Sequence, residues 1–327
     1  MDLIILFIIS VLACYIYAFV SGFTDAVQAI AEPIGARVLS PHVAVVMAGV
    51  LELVGALSGT AVALTIGKGI VSLELVSLLT VPAAIFGAMT WSLITYYFGL
   101  PVSETHGLIG GLIGAALVIG GAEAVNWVRL LPIVSAIFVA PALGFAGGLV
   151  FMGLIDRLFW SAPASKMRLI FNNLQRAASA FLAYSHGLND AQKPMGVLTM
   201  ALALHYGWKD PTVPLWVILT VGATASLGVA YGGWRIIKTL GMRITRLTPE
   251  QGFISNLSAS IVLQIASALG IPVSTTHVDA SALVGTGATR RLYGVWEIVR
   301  NMFISWILTL PAAILFGAIY ATILNLL

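Results

Sequence analysis

The chain writes one unusual block twice. Residues 101–106 read Pro-Val-Ser-Glu-Thr-His and residues 272–277 read Pro-Val-Ser-Thr-Thr-His, each after a Gly-Leu or Gly-Ile step. Upstream of each block, an apolar stretch is interrupted by an acid: Gly-Phe-Thr-Asp-Ala around Asp25 and Gly-Leu-Asn-Asp-Ala around Asp190. Downstream of each, an apolar segment carries a proline, Pro141 or Pro311. The offsets agree: 171 residues from His106 to His277, 170 between the prolines and 165 from Asp25 to Asp190. A chain that duplicates its polar, helix-breaking elements in an apolar background is built from two structural repeats, the pattern of many membrane carriers.

The background is apolar enough to set the class. Hydrophobic residues make up 59% and charged residues 9% of the 327, with a mean hydropathy of +1.01. Soluble domains carry roughly 25% charged residues. Apolar stretches near 3–20, 43–66, 75–98, 130–155, 168–188, 213–234, 254–270 and 301–326 approach or exceed the roughly 20 residues that cross a bilayer as helix. Shorter apolar pieces follow the two acids (26–36, 194–206) and the two blocks (107–120, 278–288). The expectation is an all-α polytopic membrane protein, with a first repeat at 1–158, a polar loop at 159–167 and a second repeat at 168–327. The N-terminal stretch lacks a basic flank and leads into the Asp25 motif, so it is expected to stay as the first helix. Cys14 is the single cysteine, which excludes an internal disulfide. Arg157, Lys166 and Arg168, and then Arg235, Lys238, Arg243 and Arg246, collect in two loops that the positive-inside rule places in the cytoplasm. No feature suggests nucleic acid. The setting implied is a multi-pass protein of a prokaryotic cell membrane.

In hydrocarbon every backbone polar group needs an internal partner, so irregular backbone survives only inside protein or along a watery cavity. Each Pro-Val-Ser block is such backbone. Proline suits the first turn of a helix, and Ser103 or Ser274 then falls at the cap. Each block is therefore expected to form the bend of a re-entrant hairpin or the start of a half-helix. A helix start presents free N–H groups and partial positive charge. Two of them meeting at mid-membrane make an anion site, with Ser and Thr hydroxyls as further donors. The bland alternative is that these residues only cap helices.

Asp25 and Asp190 follow Thr24 and Asn189. An acid at that depth costs about 2.5–3.5 kcal/mol on insertion scales and needs a partner or a task. Oxygen ligands of this kind suit a cation such as sodium. Lys193, three residues beyond Asp190, offers a purely local partner instead. His106 and His277 either titrate or orient the hairpins. Glu52, mid-helix, is either a coupling acid or a partner for a helix end.

Several longer segments resemble one family nearly end to end. These are SGFTDAVQAIAEPIGARVLSP (21–41), GAMTWSLITYYFGLPVSETHGLIGG (87–111), SHGLNDAQKPMG (185–196), YGGWRIIKTLGMRITRLTPEQGF (231–253) and GIPVSTTHVDASALVGTGATRR (270–291). The chain is similar to the PiT family of inorganic phosphate transporters. The resemblance implies two inverted repeats, a phosphate site between the hairpins and uptake driven by a sodium or proton gradient. It places Ser103, Thr105, Ser274, Thr275 and Thr276 along the phosphate, with Asp25, Asn189 and Asp190 serving cations and substrate. Gln28 and Thr24 stand with the cation set, and His106, His277 and Lys193 support it. A homodimer is implied by resemblance only.

The first repeat departs from the family pattern at Thr24, Gln28, Glu32 and Glu104. Two carboxylates thus enter a half-site that should face an anion. Like charges at about 4 Å repel by about 4 kcal/mol at an effective dielectric near 20. Either Glu104 is protonated and donates to the substrate, or a cation or metal–phosphate complex bridges the two. Otherwise the side chain turns away, or the substrate has changed. Sulfate or another tetrahedral oxyanion is the alternative cargo, although phosphate can donate protons to carboxylates and sulfate cannot. A hydrolase built on Ser274 and His277 is the alternative class; it has little use for a second copy of the block. A channel would have little use for intramembrane acids beside an anion site.

Overall fold

The computed structural model describes residues 2–24, 28–98, 102–232, 247–288 and 295–327. Asp25, Pro101 and the loop with Trp234, Arg235, Lys238, Arg243 and Arg246 lie outside the described residues, as do the side chains of Gln28 and Trp296. Thirteen α-helices follow in order among the described residues. In the first half these are α1 (Leu3–Thr24), α2 (Gln28–Gly35), α3 (Pro41–Ala56), α4 (Ala61–Gly69), α5 (Thr80–Phe98), α6 (Glu104–Gly120) and α7 (Trp127–Leu158). In the second half they are α8 (Ala164–Asp190), α9 (Gln192–Tyr206), α10 (Leu215–Tyr231), α11 (Pro249–Ala268), α12 (Thr275–Ala288) and α13 (Val295–Leu326). The described residues contain no strand, only an isolated bridge between Val71 and Val125.

Local chemistry sets the helix ends. Pro41 opens α3, and Pro249 opens α11 behind a Thr248–Gln251 capping box, positions where a missing N–H costs nothing. Asn126 caps α7 by accepting from the Arg129 N–H at 3.1 Å. Gly207 closes α9 at φ 69°, a left-handed turn that glycine adopts without strain.

Helices α1, α5, α7 and α13 belong to runs long and apolar enough to cross a membrane. The apolar stretch 43–66 is not one straight crossing: α3 and α4 meet at a 65° bend and form at most one broken span. Within the stretch 213–234, helix α10 takes only the 17 residues Leu215–Tyr231. Helices α8 and α11 have the length, but polar side chains such as Gln175, Asn189, Asn256 and Gln264 interrupt their apolar character. Helix α8 also starts inside the stretch expected as polar loop, which shortens that connection to 159–163.

The two halves pack by a reciprocal scheme. Helix α1 lies along α10 and α3 along α8; α6 lies along α13 and α12 along α7. Helices α5 and α6 pack as one hairpin, α11 and α12 as the other. Exchanging α1 with α8, α3 with α10, α5 with α11, α6 with α12 and α7 with α13 maps each pair onto its counterpart. Gly22 and Gly187, 165 residues apart, sit at two close crossings. A Cβ on Gly22 would lie 2.1 Å from the Ala225 carbonyl oxygen, and one on Gly187 would lie 2.0 Å from that of Glu52. Each apolar cluster mixes helices of both halves.

Candidate functional site

Between the halves, the two Pro-Val-Ser blocks face each other. Residues 102–103 and 271–274 are unwound, and α6 and α12 start directly after them. Ser103 caps α6, its Oγ accepting from the His106 N–H at 3.1 Å. Ser274 Oγ accepts from the His277 N–H at 3.3 Å. The short helices that follow, 17 and 14 residues, are about 25 and 21 Å long at 1.5 Å per residue, less than a bilayer's apolar core.

The blocks bond to each other crosswise. Thr105 donates to the Val273 carbonyl at 2.7 Å, and Thr276 donates to the Val102 carbonyl at 3.4 Å. The two donors are 171 residues apart, and so are the two acceptors, which is the offset of the motif itself. His106 and His277 complete the set with ring centroids 5.0 Å apart. The offset read from sequence therefore corresponds to a physical exchange of contacts. Ser103, Thr105, Ser274, Thr275 and Thr276 are all brought together and buried.

The crosswise bonds change what each hydroxyl can offer. Thr105 commits its one hydrogen to Val273. Ser103 and Ser274 act as acceptors from backbone, and their own hydrogens stay available to a ligand. The first N–H groups of α6 and α12 have no intrahelical acceptor, as at any helix start. The arrangement is donor-rich and dipole-positive, chemistry that suits an oxyanion.

Asp190 ends α8, one residue before α9. Its Oδ1 lies 2.7 Å from Lys193 Nζ, and Oδ2 accepts from Thr275 at 2.9 Å and lies 3.4 Å from His186 Nδ1. The local partner expected three residues on is therefore present. Lys193 is fully buried, and its partner Asp190 is bonded to Thr275 at the start of α12. The pair thus stands beside the hairpin starts rather than apart from them. Asn189 turns to α11, donating to Ser267 at 2.9 Å.

Glu104 opens α6 and is buried. Its Oε1 lies 3.1 Å from Thr24 Oγ1 and its Oε2 accepts from Ser92 at 2.7 Å. Thr24 Oγ1 also reaches the Val20 carbonyl at 2.8 Å. Three oxygen–oxygen contacts are thus served by two hydroxyl hydrogens. Glu32 does not join this group. It lies on α2, which packs against α3, α8, α11 and α12. Glu52 is buried on α3 beside the Gly187 crossing. Ser92, His186 and Ser267 were missed in the sequence. The i, i+4 spacing of His186 to Asp190 was the one available signal.

A Ser–His nucleophile does not form. Ser274 Oγ is engaged by the His277 backbone, and neither His277 ring nitrogen has a hydrogen-bond partner; the ring packs on His106 and Trp306. Among the described residues no three His, Cys, Asp or Glu side chains are grouped to hold a metal ion.

Comparison with known proteins agrees with this geometry. The sequence pattern of the phosphate transporter family matches residues 21–317. A Bacillus subtilis protein described as a "Probable low-affinity inorganic phosphate transporter" is 36% identical over 334 residues, covering 100% of this chain and 99% of its own. A Rhizobium meliloti protein with the same description is 39% identical over 306 residues, covering 93% and 92%. A solved structure described as "The sodium-dependent phosphate transporter" superposes with a TM-score of 0.90 at 28% identity, over 98% of this chain and 99% of that one.

Proposed function

Because the chain belongs to the phosphate transporter family, a family of multi-pass membrane transporters and not enzymes, we propose that it carries inorganic phosphate by cation-driven alternating access. The two halves act as inverted repeats, and the paired helix starts at Ser103 and Ser274 form the phosphate cradle. The observation that carries this reading is the crosswise Thr105–Val273 and Thr276–Val102 bonding, which brings two helix N-termini to one point. Ser103, Ser274 and the opening N–H groups bind the anion. Lys193, held by Asp190, supplies positive charge beside it. Thr275 links the second hairpin to that pair.

The driving cation in this reading is sodium, by likeness to the sodium-dependent transporter of known structure. Asp190, Asn189 and Asp25 are its oxygen ligands, Asp190 exchanging between Lys193 and the ion as the cradle fills. Thr24, Gln28 and Glu52 belong to the surroundings of that step. Glu104 adds a proton requirement. A protonated Glu104 donates to Thr24, which donates to Val20, while Ser92 donates to the other carboxyl oxygen; all three contacts then have a hydrogen. Protonation also removes the like-charge conflict between Glu104 and phosphate.

Labelled phosphate uptake into proteoliposomes tests the reading, with sodium and pH gradients imposed separately and sulfate as competitor. Sodium-driven uptake that resists sulfate supports it. Strong competition by sulfate, or uptake indifferent to both gradients, overturns it.

A further inference from the structure

Away from the cradle the second half holds an acid that the mechanism above does not use. Asp279 lies on α12, four residues past Thr275, and is 5% exposed. Glu32, on α2 and 3% exposed, feels the Asp279 charge and has Ser255 of α11 beside it. Helix α2 touches both α11 and α12, so three elements converge there. Both Glu32 carboxyl oxygens, Asp279 Oδ1 and Ser255 Oγ are buried, with no hydrogen-bond partner outside this group.

The repeat supplies a test of whether the fold needs these acids. With the 165-residue offset of the acidic motif, Glu32 corresponds to Val197; with the 171-residue offset of the hairpins, Asp279 corresponds to Leu108. Val197 and Leu108 are both fully buried. The same position in the sister half is thus filled by an ordinary apolar core residue. Both carboxyl groups are additions to a scaffold that packs without them, and they lie on two helices, α2 and α12, that pack together though they belong to different halves.

Two ionised carboxylates cannot stand together in a low-dielectric interior without a cation between them. The titratable side chains buried on the elements around α2 are Glu52 on α3, His186 and Asp190 on α8, and His277 and Asp279 on α12, with none on α11. Asp190 is committed to Lys193 and Thr275. Asp279 feels His186, which itself leans on Asp190. Helices α7 and α13, which pack on α12, add no buried acid, histidine or basic residue among the described side chains. No lysine or arginine therefore serves the Glu32–Asp279 pair among them. The donor set of two carboxyl groups and one hydroxyl suffices for a proton, whereas hard metal cations such as calcium take about six or more oxygens.

We propose that Glu32 and Asp279 share one proton between them and form a second cation site, separate from the hairpin cradle, joining the first acidic segment to the second hairpin. A shared proton ties α2 to α12, and its loss drives them apart by like-charge repulsion. The site thus makes the contact between the two halves responsive to pH, whichever anion the cradle takes.

Infrared difference spectroscopy of the purified full chain, titrated with pH in the absence of phosphate, tests it directly. In a Glu104→Gln background, which removes the hairpin acid's own signal, the carboxylic-acid carbonyl band of the pair is expected, and it shifts or disappears when either Glu32→Gln or Asp279→Asn is added. The double variant Glu32→Val/Asp279→Leu copies the sister half, is expected to fold, and should lack the same band, which keeps the test readable if a single variant fails to fold. In that background, a band unchanged by both single substitutions, or one that survives in the double variant, overturns the proposal. So does a band that appears only once sodium is removed, since sodium would then be the bound cation. Failure of phosphate uptake with the band intact would sink the transport reading and leave this one standing.

Discussion

The two hairpins make the same connection with opposite chemistry. In the second half the hairpin supplies a hydroxyl, Thr275, and the broken helix supplies the carboxylate, Asp190. In the first half the hairpin supplies the carboxyl group, Glu104, and the broken helix supplies the hydroxyl, Thr24. A carboxyl–hydroxyl bond therefore ties hairpin to helix on both sides, with Glu104 at the position of Thr275 and Thr24 at that of Asn189; Asp25, the match of Asp190, lies outside the described residues. The second acid is neutralised by a buried lysine at 2.7 Å. The position matching that lysine in the first half is Gln28, and among the described residues no first-repeat lysine or arginine pairs with Glu104. The difference teaches that both halves keep a bond between hairpin and helix while the compensation of its charge differs: a buried ammonium serves Asp190, and under the proposed mechanism a proton serves Glu104.

The largest effect should come from removing the fixed charge. Lys193→Gln makes the halves alike at this position and leaves Asp190 buried without its cation, a loss of about 3–5 kcal/mol of stability. Phosphate uptake should be abolished and the thermal unfolding midpoint lowered. A variant of wild-type stability and activity would break the comparison.

The crosswise bonds come next. Thr105→Val leaves the Val273 carbonyl unserved and should cost about 1–3 kcal/mol. Thr276→Val should cost less, because its contact is longer at 3.4 Å against 2.7 Å. Chemical or thermal denaturation in detergent would rank the two. Equal costs would show that the hairpins are more symmetric than the distances say.

The smallest effect on folding should belong to the caps. Ser103→Ala and Ser274→Ala each remove an N-cap worth about 1 kcal/mol and a donor to the anion. Phosphate affinity should fall severalfold in both, measured by uptake at varied phosphate. If one variant alone loses affinity, the cradle belongs to one hairpin.

Much of this was legible in the sequence because the second copy of each motif repeats the first. The offset between His106 and His277 marked the unwound residues ahead of α6 and α12, Asp190 marked the end of α8, and the three-residue spacing of Asp190 and Lys193 announced their ion pair. The crosswise bonds were not legible: Thr105 and Val273 lie 168 residues apart, and nothing local marks them as partners. Ser92 gave no signal because a serine in an apolar helix is ordinary. Asp279 passed unnoticed inside Val-Asp-Ala-Ser, since only the fold brings Glu32 near it. Among the described residues four helices, or five with the bent α3–α4 pair, pass as crossings by length and apolarity; hydropathy along the sequence does not see that 65° bend or the polar side chains of α8 and α11.

The pH profile of sodium-driven phosphate uptake in Glu104→Gln, set against the wild type, tests the mobile proton most directly. Glutamine keeps all three contacts with Thr24, Val20 and Ser92 by donating from its amide, so it imitates the protonated acid without a titrating proton. If the first hairpin acid works as a proton carrier, the variant transports phosphate and loses one proton's pH dependence, at most about tenfold per pH unit. An unchanged pH profile in a folded, active Glu104→Gln protein would contradict that role.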